Sequence, residues 1–281
     1  MKVGVFYFPT DYGIRADELA AALEARGFES LFVCEHTHIP TSRRSPFPSG
    51  GPLQERYKHT DDPFVALSFA AAATKKLLLG TGICLVVERD PIVTAKSVSS
   101  LDRLSGGRFM FGIGGGWNAE EMENHGTEFR TRFRLLRERI LAMKALWTEE
   151  EPAFHGEMVN FDPVWFYPKP AQKPHPPILL GGETDKTLQR VVDYCDGWFP
   201  RANPAFDPKE NVARLRRVAD EAGRDFSTLS ITAFRAPADA ARLEAYHEAG
   251  IQRVLLEIPD LSRDEILREL EKLTPLAAFN S

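Results

Sequence analysis

Two patterns of hydrophobic and polar residues alternate along this chain. Short runs rich in β-branched and aromatic residues are each followed by a segment with apolar side chains at helical spacing, and we count eight such pairs. The eight predicted strands are Val3–Phe8, Ser30–Cys34, Leu77–Ile83, Arg108–Gly112, Pro177–Leu180, the short run around Trp198 and Phe199, Leu229–Ala233 and Val254–Ile258. This pattern is typical of parallel strands joined by crossover helices.

Signals for helix ends agree with the alternation. Proline is favoured in the first turn of a helix, so we predict helices that begin near Pro63 and at Pro91. A long helix from about Arg134 to Trp147 has its apolar residues on one stripe. Ser262 and Glu265 have the spacing of a capping box, which predicts the start of the closing helix.

Eight β/α units in one chain close most economically as a (β/α)8 barrel, the TIM-barrel fold, formed by residues 1–281 as a single domain. An open doubly wound sheet is the alternative. Two segments, residues 37–62 after the second strand and residues 149–176 before the fifth, are longer than ordinary connections, and such connections are usually functional. Because the first follows a strand, we expect it at the C-terminal mouth, where barrel active sites lie. Position alone leaves open whether the second covers the mouth or the flank.

Composition narrows the function classes. The chain of 281 residues has 35 Lys and Arg against 40 Asp and Glu, a net charge of −5, which argues against a nucleic-acid partner. No apolar run approaches the ~20 residues that span a bilayer, and the first residues lack the zones of a signal peptide, so we expect a cytoplasmic protein without membrane contact. Cys34, Cys84 and Cys195 are odd in number and scattered, which favours buried small side chains over disulfides.

The densest polar cluster is Glu35-His36-Thr37-His38, at the end of the second predicted strand. Histidine is the side chain most easily poised as an acid or base near neutral pH, so His36 and His38 are the best catalytic candidates. Glu35 is the third catalytic candidate, and while the chain stays extended it points to the opposite side from both histidines. The alternative for His38 is a structural role, anchoring the long loop through backbone hydrogen bonds.

Glycine-rich motifs lie at the ends of three other predicted strands: Gly80-Thr81-Gly82, Gly112-Ile113-Gly114-Gly115-Gly116-Trp117 and Gly181-Gly182-Glu183-Thr184. Glycine lets a flat ring or a phosphate approach bare backbone, which makes the glycines of the first two motifs candidates for cofactor contacts. The alternative is a tight strand-to-helix turn. The third motif opens a helix, whose N-terminal amides and dipole attract anions, so it is a candidate phosphate site.

Taken in order, these motifs resemble the bacterial luciferase-like family, and the likeness runs nearly end to end. Further points of likeness are Leu104-Ser105-Gly106-Gly107-Arg108, Trp147-Thr148-Glu149, Phe154-His155-Gly156-Glu157, Pro174-His175-Pro176-Pro177 and Asp196-Gly197-Trp198. Within the family the chain looks most like the probable coenzyme F420-dependent oxidoreductases. The resemblance implies a (β/α)8 barrel, commonly a homodimer, that binds a flavin or 5-deazaflavin in its mouth and performs hydride transfer with a small-molecule substrate.

The resemblance also implies roles for individual residues. A non-proline cis peptide would fall at Gly82–Ile83 and lie against the flavin-like ring. Glu35-His36 occupies the place of an acidic residue and a histidine in F420-dependent sugar-phosphate dehydrogenases, so His36 would handle the substrate proton while hydride moves to or from the deazaflavin C5. The cofactor phosphate would be held by the amides of Gly181, Gly182, Glu183 and Thr184. Candidate partners of the acidic F420 tail are Arg43, Arg44 and the arginines between Arg130 and Arg139.

Three other functions remain open from the sequence. FMN could replace F420 in the same mouth, and the enzyme would then be a monooxygenase with a separate reductase partner. A metal-dependent hydrolase is suggested by the His-x-His pair of His36 and His38, with His175 and Asp260 as an incomplete set of further ligands. A non-catalytic binding protein with the same barrel would have no need of a titratable group at the mouth.

The substrate is described only in outline by the sequence. Pro40 and Trp117 stand where the sugar-phosphate dehydrogenases carry a Trp and a Glu, so no sugar phosphate is assigned. We expect instead a fairly apolar pocket lined by aromatic rings. The rings chosen for it are those of Phe8, Phe47, Tyr57, Trp117 and Trp165.

Overall fold

The chain forms a closed barrel of eight parallel strands, in a computed structural model that describes residues 1–48, 50–203 and 205–280. With a separate two-stranded hairpin included in the numbering, the strands are β1 (Lys2–Tyr7), β2 (Ser30–Val33), β3 (Leu78–Thr81), β4 (Phe109–Ile113), β5 (Phe154–His155), β6 (Asn160–Phe161), β7 (Ile178–Gly181), β8 (Gly197–Phe199), β9 (Ser230–Ala236) and β10 (Arg253–Glu257). The order around the barrel is β1, β10, β9, β8, β7, β4, β3 and β2, and β1 pairs with both β10 and β2. The predicted (β/α)8 barrel is confirmed, and the open doubly wound sheet is wrong. Position 49 of the long segment 37–62, and positions 204 and 281 of the predicted domain, lie outside the described residues.

Helices connect the strands around the barrel. They are α1 (Ala16–Ala25), α2 (Pro63–Ala73), α3 (Pro91–Leu104), α4 (Ala119–Asn124), α5 (Arg132–Thr148), α6 (Asp185–Tyr194), α7 (Pro208–Glu221), α8 (Ala240–Glu248) and α9 (Arg263–Leu273). The predicted starts at Pro63 and Pro91 are confirmed, and in each case the preceding aspartate caps the helix with its side chain. The capping box of α9 is present as well. Within the described ranges, no helix is long and apolar enough to cross a membrane.

Alternate residues of the strands build two separate cores. On β1, Val5 packs with the surrounding helices, whereas Phe6 belongs to the cluster that fills the barrel. Inside the barrel, Phe32 of β2 stacks on Phe199 of β8 with ring centroids 5.6 Å apart. A side chain at Gly80 of β3 would overlap the Phe32 ring. The first glycine of this motif therefore serves the packing of the interior.

The long segment after β2, residues 37–62, lies at the mouth, as expected. Phe47 and Tyr57 of this segment pack into the cluster that fills the barrel. The segment is also bound to α4, because the backbone N–H of Ser45 donates to Oε1 of Glu120 at 2.8 Å. It therefore forms one wall of the mouth.

The second long segment, residues 149–176, lies on the flank. Its backbone N–H at Met158 donates to Oε2 of Glu138 in α5 at 2.7 Å. Nearer its end, Gln172 Nε2 donates to the carbonyl of Phe109 at 2.7 Å. Because Phe109 is the first residue of β4, the segment reaches the end of the barrel opposite to the mouth.

Candidate active site at the barrel mouth

A pocket opens at the carboxyl ends of the barrel strands. Its lining includes Glu35, His36, Gly82, Ile83 and Gly116. These residues follow β2, β3 and β4, which are neighbours in the barrel, so closure of the parallel sheet brings them together. The other candidates from the sequence lie outside this lining: His38, Gly114, Gly115, Gly181, Gly182, Glu183 and Thr184.

His36 is held by a buried carboxylate. Its Nδ1 lies 2.8 Å from Oε2 of Glu121, which belongs to α4 and is completely buried. The other oxygen of Glu121 accepts the backbone N–H of Thr37 at 3.0 Å. Both oxygens are thus occupied by groups from the end of β2, which fixes the position of the imidazole.

The bond to Glu121 also sets the tautomer of His36. Since an ionised carboxylate only accepts hydrogen bonds, Nδ1 carries the proton and Nε2 is the nitrogen that can take up or release another. The rings of Tyr57 and Trp117 lie 5.2 and 5.8 Å from the imidazole, measured between centroids. A histidine oriented by a carboxylate and shielded by aromatic rings is suited to act as a general acid or base.

His38 belongs to a neighbouring network of side chains. The hydroxyl oxygen of Thr37 lies 2.9 Å from Nδ1 of His38 and 2.8 Å from Nε2 of His125. Nε2 of His38 in turn lies 2.8 Å from the amide nitrogen of Asn124. His38 therefore links the loop after β2 to the end of α4. These contacts run through side chains and not through the backbone, and the catalytic role of His38 stays a prediction.

Glu35 is engaged on the other side of the strand end. Its buried carboxylate accepts the backbone N–H of Leu85 at 2.6 Å and Nε of Arg89 at 2.5 Å. The pair ties the end of β2 to the turn after β3. In this geometry Glu35 neutralises Arg89, and its role in catalysis stays a prediction.

A second buried carboxyl group lies beside the histidine network. The Glu88 side chain is 1% exposed, and neither of its oxygens has a hydrogen-bond partner within the described part of the chain. Burial raises the pKa of Glu88 to about 9, and the negative charges of Glu121 and Glu35 add to the effect. Nε2 of His125 lies 3.9 Å away, and burial lowers the pKa of that histidine. Glu88 is therefore neutral at pH 7.

The peptide bond between Gly82 and Ile83 is cis, as predicted. It follows directly on β3, which ends at Thr81 instead of at Ile83. Ile83 packs closely against two neighbouring strands. A side chain at Gly114 would overlap Cδ1 of Ile83, and one at Gly181 would lie 3.4 Å from its Cγ2.

The glycine run after β4 gives space to other side chains as well. A side chain at Gly115 would lie 2.6 Å from the Phe133 ring, and one at Gly116 would lie 2.5 Å from Cε of Met122. Gly116 also has a φ of +63°, which favours glycine. Packing within the protein thus accounts for these glycines, as expected for a tight strand-to-helix turn. Their contact with a cofactor stays a prediction.

The turn between β7 and α6 is fixed by its neighbours. Nε1 of Trp198 donates to the carbonyl of Gly182 at 2.7 Å, and Thr184 caps α6 with its hydroxyl. The backbone N–H of Arg201 donates to Oε1 of Glu183 at 3.0 Å. The Glu183 carboxylate is therefore engaged by Arg201, and the first amides of α6 have no partner inside the helix.

Two arginines flank Phe133 beside Gly115. The guanidinium of Arg132 lies 4.5 Å, and that of Arg190 3.9 Å, from the centroid of the Phe133 ring. Burial lowers the pKa of Arg132, and the charge of Arg190 lowers it further. Nε of Arg132 is buried and, within the described ranges, has no hydrogen-bond partner. Two like charges with an unsatisfied donor fit an anionic ligand at this position.

Most of the other arginines proposed for the cofactor tail already have partners in the protein. Arg44 pairs with Glu123, Arg134 with Glu157, Arg137 with Asp193, and Arg139 donates to the carbonyl of Val86. Arg43 lies over the Trp117 ring, 5.7 Å from its centroid. Arg132 likewise donates Nη1 to the carbonyl of Phe129 at 2.8 Å, and within the described ranges the buried Nε atoms of Arg132 and Arg139 both lack a hydrogen-bond partner.

The aromatic walls are largely those expected. Phe8, Phe47, Tyr57 and Trp117 line the pocket. Trp165 does not line it, because it belongs to the flank segment, is 79% exposed and donates its Nε1–H to Glu151. The prediction for Trp165 was wrong.

The residues suggested for a metal have other partners. His36 and His38 are engaged as described, Nδ1 of His175 lies 3.0 Å from the carbonyl of Pro176, and Asp260 accepts the hydroxyl of Tyr12 at 2.8 Å. Within the described ranges, no group of three His, Cys, Asp or Glu side chains could hold a metal ion. The geometry gives the hydrolase alternative no support.

Sequence reasoning missed Glu121, the partner of His36. The available signal was the pair of adjacent acids Glu120-Glu121, four residues after the glycine run. Arg89 and Arg235, which also reach the pocket region, gave no signal because isolated arginines are ordinarily surface residues.

The chain matches the family described as luciferase-like monooxygenase over residues 2–272, and it belongs to that family. The resemblance inferred from the ordered motifs is thereby confirmed. Among solved structures it is similar to an F420-dependent secondary alcohol dehydrogenase in complex with an F420-acetone adduct, with a TM-score of 0.77, 20% identity and 99% coverage of both chains. That likeness concerns the fold.

Sequence relatives include proteins of both cofactor types. The chain is 39% identical over 277 residues to an uncharacterized protein of Mycobacterium tuberculosis (strain ATCC 25618 / H37Rv), with 97% of each covered. It is 29% identical to the F420-dependent hydroxymycolic acid dehydrogenase of the same organism, over 76% of this chain and 57% of the relative. It is 32% identical to the FMNH(2)-dependent dimethylsulfone monooxygenase of Pseudomonas putida, over 53% of this chain and 41% of the relative.

Proposed function

We propose that this protein is an F420-dependent oxidoreductase that acts on a small organic substrate. The observation that carries the proposal is the His36–Glu121 pair, which faces the mouth pocket beside the cis Gly82–Ile83 peptide. The pair supplies a proton-handling group beside the surface where a flat ring would lie. The F420-dependent relative that aligns over 76% of the chain supports the choice of cofactor.

Charged residues beside the glycine run after β4 fit such a cofactor. Arg132 and Arg190 provide two positive charges beside Gly115, with a buried donor still unsatisfied. They would hold the cofactor phosphate together with the amides at Glu183 and Thr184. Ile83 would pack against one face of the deazaflavin ring. When bound, F420 supplies a centre that accepts or donates hydride.

The chain's own groups perform the remaining tasks. Nε2 of His36 takes the proton of a substrate hydroxyl, or returns it in the reverse direction, while Glu121 holds Nδ1 and stabilises the positive charge on the ring. The rings of Tyr57 and Trp117 exclude water from the imidazole, which strengthens its interactions. Glu35 keeps the end of β2 in place through Arg89.

An FMN-dependent monooxygenase is the second candidate. It is favoured by the 32% identity to the FMNH(2)-dependent relative over about half of the chain. The same phosphate contacts would serve FMN, and a separate reductase would supply the reduced flavin.

The proposal includes a homodimer formed by α2 and α3. Apolar side chains are exposed on both helices: Val65 and Phe69 on α2, and Val93 and Leu104 on α3, all between 54% and 73% exposed. The sequence of α2 is almost uniformly apolar, and a helix that is apolar all round is normally buried. A second copy of the chain would cover this face.

Equilibrium titration of the purified protein with F420 and with FMN tests the choice of cofactor. We expect F420 to bind more tightly, and Arg132→Gln or Arg190→Gln to weaken F420 by about tenfold through loss of a charged contact. Arg217→Gln, an exposed arginine on α7, serves as the control. Tighter binding of FMN would favour the monooxygenase, and binding of neither cofactor would refute the proposal.

A further inference from the structure

A β-bulge at the mouth gives one arginine an unusual position. Along the pairing of β9 with β10, Leu255 is opposite Phe234 but Leu256 is opposite Ala236, so Arg235 is an extra residue on its strand. A bulge redirects the side chain that it carries. Arg235 lines the same pocket as His36.

The backbone at Arg235 is itself in a disfavoured conformation. Its φ is +58°, in the left-handed region that residues with a β-carbon rarely adopt. Glycine or asparagine would fit there with less strain. A strained non-glycine residue that extends a long charged side chain into a pocket suggests that the charge is used.

One carboxylate lies beside the Arg235 side chain. Its Nε lies 2.9 Å from Oε2 of Glu257, whose other oxygen accepts Nη2 of Arg56 at 2.8 Å. One carboxylate is thus shared by two guanidinium groups. Arg201, paired through its backbone with Phe234, adds a further guanidinium to the lining of the same pocket.

The other acidic group of the pocket does not balance the two guanidinium groups that share Glu257. Glu35 is already paired with Arg89. Burial raises the pKa of Tyr57, and burial also raises that of Cys34, so the phenol and the thiol stay neutral at pH 7. Because Arg235 and Arg56 share one carboxylate, the pocket wall around Arg235 has an excess of positive charge next to aromatic rings.

We propose that the mouth binds a small organic anion, whose oxygens are received by Arg235 and whose carbon skeleton packs on the rings of Phe8, Tyr57 and Phe234. A guanidinium presents paired donors that match a carboxylate or a phosphate ester. The inference rests on the proposed function, because it specifies the substrate class of the same site. The cofactor tail also carries anionic oxygens, so it is the alternative ligand for the same arginine.

Three ring compounds of nearly equal size serve as probes: benzoate, phenylphosphonate and the neutral benzamide. Their binding is followed by fluorescence of Trp117, with and without saturating F420. We expect an anion to bind at least about tenfold more tightly than benzamide, in both conditions, through charge-assisted hydrogen bonds. The tighter of the two anions identifies a carboxylate or a phosphate-like substrate.

Arg235→Asn removes the charge with a residue that tolerates the positive φ, and a thermal melt checks its folding. We expect this variant to lose the preference for the anion, while Arg217→Asn keeps it and F420 affinity stays within about twofold of wild type. Equal binding of anions and benzamide to the wild type, or no anion binding, would overturn the inference and leave F420 binding untouched. A second pair of results would also overturn the inference: Arg235→Asn binds F420 more weakly than wild type, and F420 displaces the anions. Together they would show that Arg235 binds the cofactor tail. Failure of the wild type to bind F420 or FMN would refute the proposed function separately.

Discussion

Nδ1 of His36 lies 2.8 Å from Oε2 of Glu121, a residue 85 positions further along the chain. The first follows β2 and the second lies in α4, beyond β4. Because Glu121 is completely buried and accepts a second bond from Thr37, the contact is specific to the folded barrel. It fixes the orientation of the histidine that we propose as the acid or base.

Replacing Glu121 with Gln should disturb His36 without unfolding the site. Both oxygens of Glu121 accept from N–H donors, whereas a Gln amide can accept with only one side and directs its NH2 toward a donor. We expect kcat with F420 to fall roughly 10- to 100-fold, the effect typical of a residue that orients another, with F420 affinity unchanged. Nitrogen-15 NMR of the imidazole should show loss of the pure Nδ1–H tautomer.

Glu123→Gln is the matched control, since Glu123 lies in the same helix and pairs with Arg44. It should leave the rate and the tautomer unchanged. If Glu121 acts through His36, the double variant with His36→Ala should be no slower than His36→Ala alone. Additive losses of rate would contradict the positioning role.

Glu88 should make the protein less stable as the pH rises. Its pKa is raised from an ordinary value of 4.5 to about 9, so between these values the folded state holds a proton that the unfolded state has lost. The free energy of unfolding therefore falls with increasing pH through this window. Glu88→Gln cannot ionise, and we expect its melting temperature relative to wild type to rise by roughly 2 °C or more between pH 5 and pH 8.

Calorimetric melts across that pH range make the comparison. Glu244→Gln changes an exposed glutamate of α8 and should show no pH-dependent gain. A Glu88→Gln variant that tracks the wild type at every pH would show that Glu88 titrates normally in the fold.

Ser45→Ala should loosen the loop after β2. The Ser45 hydroxyl donates to Glu120 and accepts the backbone N–H of Ala119 at 3.0 Å, so its loss leaves a carboxylate that is only 4% exposed short of a partner. We expect a loss of roughly 1–3 kcal/mol in the free energy of unfolding and faster proteolysis within residues 37–62. Ser227→Ala breaks a similar pair with Asp225 on the surface and should cost less. Equal costs for the two variants would show that the loop is not anchored at Glu120.

Phe69→Ser should convert the proposed dimer to a monomer. The side chain is 54% exposed on α2, and a polar residue there would remove apolar area from the contact between copies. Trp165→Ser, at an exposed aromatic on the flank, is the control that should stay dimeric. Sedimentation equilibrium measures both variants against the wild type. A monomeric wild type would contradict the proposed dimer.

The repeated β/α pattern was sufficient to predict the barrel, because every strand of the barrel carries its own apolar run. The place of His36 at the mouth was also predicted, since it follows from a short motif at a strand end, and the cis Gly82–Ile83 peptide was predicted from the resemblance to the luciferase-like family. Helix α4 was not predicted, as six residues rich in glutamate show no helical periodicity. Glu121 was missed with it.

Other features depended on long-range packing. Arg235 reaches the mouth because the register of β9 against β10 slips by one residue, and no local signal reveals that slip. Segment 149–176 lies on the flank because Glu138 and Asp102 bind it there, and those partners come from α5 and α3. Trp165 was misplaced for the same reason.

A crystal structure of the protein with F420 tests the central claim most directly. The account predicts the deazaflavin ring in the mouth against Ile83, with its C5 within reach of a substrate beside Nε2 of His36, and the phosphate near Arg132 and Arg190. The same crystal should show Nδ1 of His36 still bonded to Glu121. A cofactor bound elsewhere, or a ring that keeps His36 out of reach of the substrate position, would contradict the account.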